Sequence, residues 1–277
     1  MKRFELDKDC ILEKYDYLWC LSDDRWAWEY ARRSKLVRDS FEQIDLNAVV
    51  EKISPYTGAR LIEFKASSNI CDKLGMALFP DPKHNALKAD IVWNRSALPN
   101  QAEINATFLM EGQVCDLWQA AQEQCDITHV IDRSGQEFVL ASNAGRVVQV
   151  HCTGVSLLSL EPVRLKLTIS DILSFEEKVK AQRSVLEVLG QDLLKNPVWS
   201  KKTQILRNGL IALDGLEAGM TRMQIAELIF GKSRTKNEWS GGSLRYSIRY
   251  LVKKAQALRD GGFYTELLGS QKGLVWD

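Results

Sequence analysis

Arg245, Tyr246, Arg249, Lys253 and Gln256 come together when GGSLRYSIRYLVKKAQALRDGG, residues 241–262, is wound as a helix at about 100° per residue. With Leu244 at zero they occupy the arc from about 100° to 200°. Leu244, Ile248, Leu251, Val252, Ala255 and Leu258 occupy the arc from about 320° to 80°. One flank is built to dock on a core. The adjacent flank offers guanidinium, ammonium, amide and phenol donors, the groups that reach phosphate oxygens and guanine edges of duplex DNA. Ser243 has the side chain of an N-cap, and the amino end it would cap can itself receive a phosphate. An ordinary amphipathic helix turns the same arc to solvent, so the reading depends on the elements that would hold this helix.

GMTRMQIAELIFG, residues 219–231, reads as a short helix with both ends specified. Thr221 is the expected N-cap and Gln224 completes a capping box. Met220 can meet Ile225 as a hydrophobic staple, and Gly231 stands where a left-handed C-terminal cap is wanted. Ala226, Ile229 and Phe230 give it a packing face, which a helix this short requires. Its neighbours are the basic helix and a helix capped by Ser200 that carries Ile205, Leu206, Leu210, Leu213 and Leu216. Helix, short capped helix, connection and basic amphipathic helix follow the logic of a helix-turn-helix. One feature departs from it. KSRTKNEWSGG places 11 residues between Gly231 and Ser243, where a turn of about 3–4 is usual. Lys232, Arg234 and Lys236 lie there among Ser, Thr and Asn. The segment reads as a flexible basic connection that reaches phosphates but is poorly held for base reading. The alternative is a motif that has left DNA and binds protein instead.

Charge is segregated in the same sense. From Lys201 onward there are 13 Lys/Arg against 7 Asp/Glu, a balance of +6, and the preceding 200 residues carry 24 against 29, a balance of −5. A polyanion partner for one end fits this division, although a chance drift of composition does too. At 277 residues and 45% hydrophobic, the chain is long enough for two domains with cores of their own. It contains no apolar run of membrane-spanning length and no apolar signal core after its basic start, which places it in the cytoplasm without a membrane partner.

Chemistry of other kinds finds little purchase. There is no Walker loop, GxGxxG, GxSxG or HExxH, so no enzyme is expected. Cys10, Cys20, Cys71, Cys115, Cys125 and Cys152 form no CxxC pair and no zinc spacing. They read as reduced, buried thiols, with no metal and no cofactor. Of His84, His129 and His151, the last two fall on expected strands, as structural histidines do. Trp26 and Trp28 read as core. Two positions apart on a helix they cannot share a face, so at least one should approach a surface or a domain contact.

The expected class is α+β: a helical N-terminal region, antiparallel β-hairpins, and a C-terminal helical bundle with a variant helix-turn-helix. Residues 1–100 form the first region. It has acidic residues Asp23 and Asp24 opening a helix that bears Trp26 and Tyr30, a continuing period at Leu36, Val37, Phe41 and Ile44, and a strand in ADIVWN, 89–94. Residues 101–277 form the second. Hairpins over 104–169 turn at Ser134-Gly135 and Asn143-Ala144-Gly145, with PVRLKLTI alternating as a strand. A helical part runs over 170–268, opened by a Ser174–Glu177 capping box.

LDGLEAGMTRMQIAELIFG, the following W-S-G-G-SLRYSIRYLVKKA and LRDGGFYTELL together resemble the C-terminal helix-turn-helix variant of FseA-type activators, proteobacterial regulators of conjugative-element transfer, and of their small antiactivators. RWAWEYARRS and GMALFPDP…ADIVWN are similar to the region that accompanies that domain in the activators. The resemblance implies a DNA-binding transcriptional regulator with double-stranded DNA, RNA polymerase and a small antiactivator as partners. The N-terminal region favours the activator. The alternative is an antiactivator-like module that sequesters a related activator. The DNA-facing role passes only to Ser243–Arg259, the helix that matches.

Overall fold

The computed structural model of the chain describes residues 12–54, 58–65, 69–110, 112, 115–159, 161–170, 172–190 and 199–270. A 3-10 turn at Asp16–Cys20 leads into α1 (Asp23–Ala31) and α2 (Lys35–Phe41). Asp23 and Asp24 sit in the first turn of α1, where the helix dipole favours them. Beyond α2 the expected helical N-terminal region gives way to sheet. β1 (Val49–Ile53) and β2 (Arg60–Phe64) pair antiparallel, from Val49 opposite Phe64 to Ile53 opposite Arg60. Their sequences, VVEKI and RLIEF, carry the β-branched and aromatic residues of a pleated surface, and the helical period of residues 26–44 does not extend into them. After the five-residue α3 (Asn69–Lys73), β3 (Met76–Leu78) pairs with β4 (Val92–Trp93) in a separate two-stranded sheet. The strand expected over 89–94 is only these two residues long.

The hairpin region contributes β5 (Ala102–Phe108), α4 (Asp116–Gln124), β6 (Asp126–Ile131), β7 (Glu137–Asn143), β8 (Arg146–Gly154) and β9 (Val163–Thr168). The sheet is mixed rather than antiparallel throughout. Its order is β1-β2-β6-β7-β8-β5-β9, with β2 parallel to β6 and β5 parallel to β8. The seven strands come from both sides of residue 100. The two expected hairpin turns are present. Asp132 Oδ1 accepts from the backbone N–H groups of Ser134 and Gln136 at 2.8 and 2.9 Å, with Gly135 at φ 79°.

At the second turn Ala144 and Gly145 stand at φ 48° and 77°, the two positive values that a type I′ turn requires. Alanine is strained there because its Cβ crowds the carbonyl in the left-handed region. Ala144→Asn is expected to raise stability by about 0.5–1 kcal/mol, read as a higher urea midpoint. An unchanged or lower midpoint contradicts strain at Ala144.

The sheet carries a core on each face, and the alternation of β7 shows how. Val139 and Ala141 join Ile104, Val148 and Val150 under α5 (Phe175–Leu189), which contributes Val185 and Val188. Phe138 and Leu140 point the other way and join Trp26, Trp28, Trp93, Leu206, Leu210, Phe263 and Tyr264. Trp26 and Trp28 are both fully buried, so of the surface or domain contact expected for one of them only the contact remains, against Leu206, Leu210 and Phe263 in the same cluster. A helix enclosed on all sides has no outer face, and Trp28 Nε1 is satisfied by the His84 carbonyl at 3.1 Å. His129 and His151 lie on β6 and β8. His129 Nε2 is 3.0 Å from Glu137, and His151 packs beside the Phe138 ring. Among the described residues Cys20, Cys115, Cys125 and Cys152 are free, half-buried thiols, and Cys71 is buried. Cys10 lies outside the described residues.

α5 begins without the expected capping box. Ser174 takes a left-handed φ of 54° and makes no capping hydrogen bond. Glu176 and Glu177, in the first turn, favour the amino end electrostatically instead. The remaining helices are α6 (Lys201–Glu217), α7 (Arg222–Phe230), α8 (Lys232–Glu238), α9 (Ser243–Ala257) and, past a π-helical turn at Leu258–Gly262, α10 (Phe263–Glu266).

α1 is fixed to α6 by polar contacts as well as by packing. Arg33, just past α1, donates to Asp214 Oδ1 and Oδ2 at 2.6 and 2.8 Å, and to the Glu29 carboxylate at 2.7 Å. Tyr15 donates to Asp214 at 2.7 Å, and the fully buried Glu29 also accepts from the Ala86 N–H at 2.7 Å. Tyr30 donates to the Leu206 carbonyl at 2.8 Å. This approach requires glycine at 209, since a Cβ there would lie 2.6 Å from the Tyr30 hydroxyl and 3.1 Å from Ala255. Glycine costs about 1 kcal/mol within a helix, and here it lets α6 pass between α1 and α9.

Candidate nucleic-acid interface

Three of the helices around the basic residues, α6, α7 and α9, share a small core. Ala212 of α6, Ile225 and Ala226 of α7, and Leu244, Ile248, Leu251 and Val252 of α9 are buried together, with Met220 and Trp239 against them. α6 is capped as expected, Ser200 Oγ accepting from Thr203 N at 3.1 Å. α7 has its full capping box. Thr221 Oγ1 accepts from Gln224 N at 3.3 Å, and Gln224 Oε1 accepts from Thr221 N at 2.8 Å. Gly231 has the positive φ expected of it, 92°, but ψ of 150° lies outside the left-handed helical region.

Gly231 departs from that region because a second helix starts directly after it. The expected flexible connection is mostly this helix, α8, which Gly231 precedes as N-cap. Its Arg234 pairs with Glu238 at 2.9 Å and lies over the Phe230 ring at 5.3 Å, and Thr235 is fully buried. Arg234 and Lys236 are therefore positions on a short helix, held in place rather than loose, and Lys232 opens the same helix. Only the four residues Trp239–Gly242 separate α8 from α9, which restores the tight turn usual in the motif. The cap of α9 is corrected too. Gly242, at φ 86°, is the N-cap, and Ser243 is the first helical residue with no capping bond. A positive φ at this position suits glycine.

α9 divides as its pattern predicts. Leu244, Ile248, Leu251, Val252, Ala255 and Leu258 are buried. Arg245, Tyr246, Arg249, Lys253 and Gln256 are exposed. Arg245 lies over the Trp239 ring at 5.7 Å, a cation–π contact that holds its stem against the tight turn. Arg245, Arg249 and Lys253 recur at i, i+4 and i+8, a row of about 12 Å at 1.5 Å per residue. Arg249 and Lys253 have no ion-pair partner among the described residues, whereas Lys254, on another side of the same helix, pairs with Glu266 at 2.5 Å, and Arg259 pairs with Asp260 at 2.7 Å. Gln256 follows Lys253 by three residues on the same arc. It lines a cleft of about 900 Å³ with Arg38 and Arg259, between α2 and the end of α9.

Tyr250 lies beyond the basic arc of the helical projection and was not among the expected contacts. It is 58% exposed and one turn from Tyr246, itself 70% exposed. Two phenols one turn apart beside a basic row form an amphipathic strip that can donate to phosphates and cover sugar or thymine methyl groups. Their spacing of four residues was the available signal.

Residues 173–268 match the family model described as the DNA-binding domain of a T6SS transcription factor. The match runs from just before α5 through α10, and it includes α9 and its exposed row. The chain thus carries a transcription-factor DNA-binding domain. No curated protein matches the chain. No helix among the described residues is long and apolar enough to cross a membrane.

Proposed function

We propose that the chain regulates transcription by reading promoter DNA with the exposed flank of α9. The observation that carries this is the division of that helix. One flank is fully committed to the core, and the other holds a row of cations of which Arg249 and Lys253 lack a counter-charge among the described residues. Charges left unpaired on a rigid element are suited to an external anion, and base reading needs the fixed geometry that a core-anchored helix provides. Lys232, Arg234 and Lys236 on α8 add phosphate contacts beside it.

The finer reading is an activator of the FseA type, acting in the cytoplasm on promoters of conjugative elements, in contact with RNA polymerase and answerable to a small antiactivator. What supports it is the resemblance of the C-terminal helices together with RWAWEYARRS, the stretch whose Arg33 and Glu29 join α1 to α6. It acts by binding and not by catalysis. The rival reading, a sequestering module without DNA contact, rests on a long connection before the basic helix. α8 and a four-residue turn occupy that connection, which favours the DNA-reading form.

The test is a salt titration of the full chain on random duplex, then footprinting on neighbouring promoters. The logarithm of affinity is expected to fall with the logarithm of salt by about 0.9 per phosphate contact, with a protected site on at least one promoter. A stable complex with a related activator, and no retardation of any fragment, overturns the reading.

A further inference from the structure

Where the N-terminal region, the sheet and the DNA-binding domain meet, a cleft of about 430 Å³ opens. Its walls come from Leu21–Asp24 before and within α1, from 98–102 leading into β5, from β8, from α5, and from the 266–269 segment at the end of α10. Sites for small molecules have roughly 300–1,000 Å³.

The polar atoms of this cleft are fixed and incompletely used. Gln149 is 4% exposed, and its Oε1 accepts from the Trp93 N–H at 2.9 Å while its Nε2 donates to the Trp93 carbonyl at 2.7 Å. That pair settles which end of the amide is which. The same Nε2 donates to Gln101 Oε1 at 2.6 Å, which orients Gln101 in turn. Gln101, 6% exposed, is left with a buried Nε2 donor that has no hydrogen-bond partner among the described residues. Ser22 Oγ and Asp24 Oδ2 are likewise buried without a hydrogen bond from the described residues. Each such atom costs about 1–3 kcal/mol unless something completes it, the Arg25 charge offsetting part of this for Asp24, and all three residues line one cleft.

The charges of the wall are already matched. Asp23 pairs with Lys180 and Lys202, Glu266 with Lys254, and Asp24 lies 3.3 Å from the Arg25 guanidinium. Only Glu177, exposed at the rim, is outside these pairs. An anionic guest would enter without a counter-charge, and a cationic one would find only Glu177 at the solvent-exposed rim, so either loses its hydration in the cleft at a high desolvation cost. A neutral head must offer an acceptor to Gln101 and a donor to Asp24 or Ser22, which is the pattern of a carboxamide. Leu21, Leu98, Val148, Ala181 and Leu267 give the rest of the cleft an apolar lining.

We propose that this cleft binds a small neutral carboxamide with an apolar body. Its walls belong partly to the DNA-binding domain and partly to the rest of the chain, so occupancy is an input to DNA binding; that second clause rests on the DNA-reading function. Hexanamide is the probe, with hexylammonium and hexanoate as controls of equal length, observed by saturation-transfer NMR on the full chain. Hexanamide is expected to bind, and each charged control to bind roughly tenfold more weakly. Ala181→Trp and, more gently, Ser184→Leu fill the cleft from α5. Either is expected to weaken hexanamide binding by about tenfold with circular dichroism unchanged. Equal response to all three probes, or no response to hexanamide, overturns the site and leaves a cleft that holds water only. So does hexanamide binding undiminished in both variants. In a gel-shift titration, saturating hexanamide is expected to change DNA affinity by about threefold or more. Binding of hexanamide with DNA affinity unmoved overturns the input role and keeps the site. Failure to bind DNA at all overturns the DNA reading and the input role but leaves the NMR result standing.

Discussion

Arg33→Ala is expected to destabilise the full chain by about 3–5 kcal/mol, the cost of leaving a buried charge without its partner. Arg33 is only 8% exposed and serves two carboxylates, Asp214 through a two-pronged contact and Glu29 through a third bond. Without it, Glu29 retains Arg32 at 2.8 Å and the Ala86 N–H, and Asp214 retains Tyr15. Arg33→Lys should recover only part of the stability, because an ammonium cannot present the planar fork. The effect is read as a shift of the urea midpoint, and a change below about 1 kcal/mol, within the range of surface ion pairs, contradicts the assignment.

The same network sets an acid limit. Burial opposes ionisation of Asp214, but the hydrogen bonds and charge of Arg33 outweigh it and hold the carboxyl below its usual range. Burial likewise opposes ionisation of Glu29, and the Arg33 and Arg32 charges outweigh it. A carboxylate depressed in the folded state contributes stability that is complete above its unfolded value, about 3.9 for Asp and 4.3 for Glu. That stability disappears as pH falls through the folded value. Stability should therefore hold at neutral pH and decline in acid from about pH 4 downward. Asp214→Asn should flatten that decline while lowering stability at neutral pH.

This network was not legible in the sequence, because Arg33 and Asp214 are 181 positions apart and nothing local marks them as partners. What was legible has local causes. The capping box at Thr221 and Gln224 is a contact between residues three apart. The division of α9 follows from the helical period alone, and so do the β6–β7–β8 hairpins from their turn residues. The parallel pairings of β2 with β6 and of β5 with β8 are non-local and went unseen. α8 escaped for a different reason. Its buried anchor is Thr235, a residue that reads as polar, and the Arg234–Glu238 pair and the cation–π contact to Phe230 brace it further. Of the proposed DNA-facing residues, the row on α9 was readable by spacing. The turn that aims it was hidden within a segment that reads as a loop.

Replacing Arg245 and Arg249 together by alanine is expected to cost a few kcal/mol of affinity for the footprinted site, about 1–3 kcal/mol for each good base contact. Affinity for random duplex should fall less, so the ratio of specific to random affinity shrinks. The physical reason is where the two guanidinium groups stand. Arg249 projects from the middle of a helix whose opposite flank is buried at Leu244, Ile248, Leu251 and Val252. Arg245 is steadied by the Trp239 ring at 5.7 Å. Both keep the fixed geometry that discrimination between bases demands. Lys232 and Lys236 on α8 are the comparison. They stand on a helix of seven residues that Arg234 and Glu238 brace across one turn. Ammonium groups there bind phosphates as point charges. Replacing those two lysines should weaken specific and random DNA about equally. It should also flatten the salt dependence by up to about 0.9 in log–log slope for each phosphate the variant no longer reaches. The buried packing of α9 and α8 is untouched by these changes, so circular dichroism should be unaltered in both variants. Paired salt titrations, one on the footprinted site and one on random duplex, separate the outcomes. If the α8 variant loses specificity while the α9 variant keeps it, α8 is the element in the groove. In that case α9 serves to orient it.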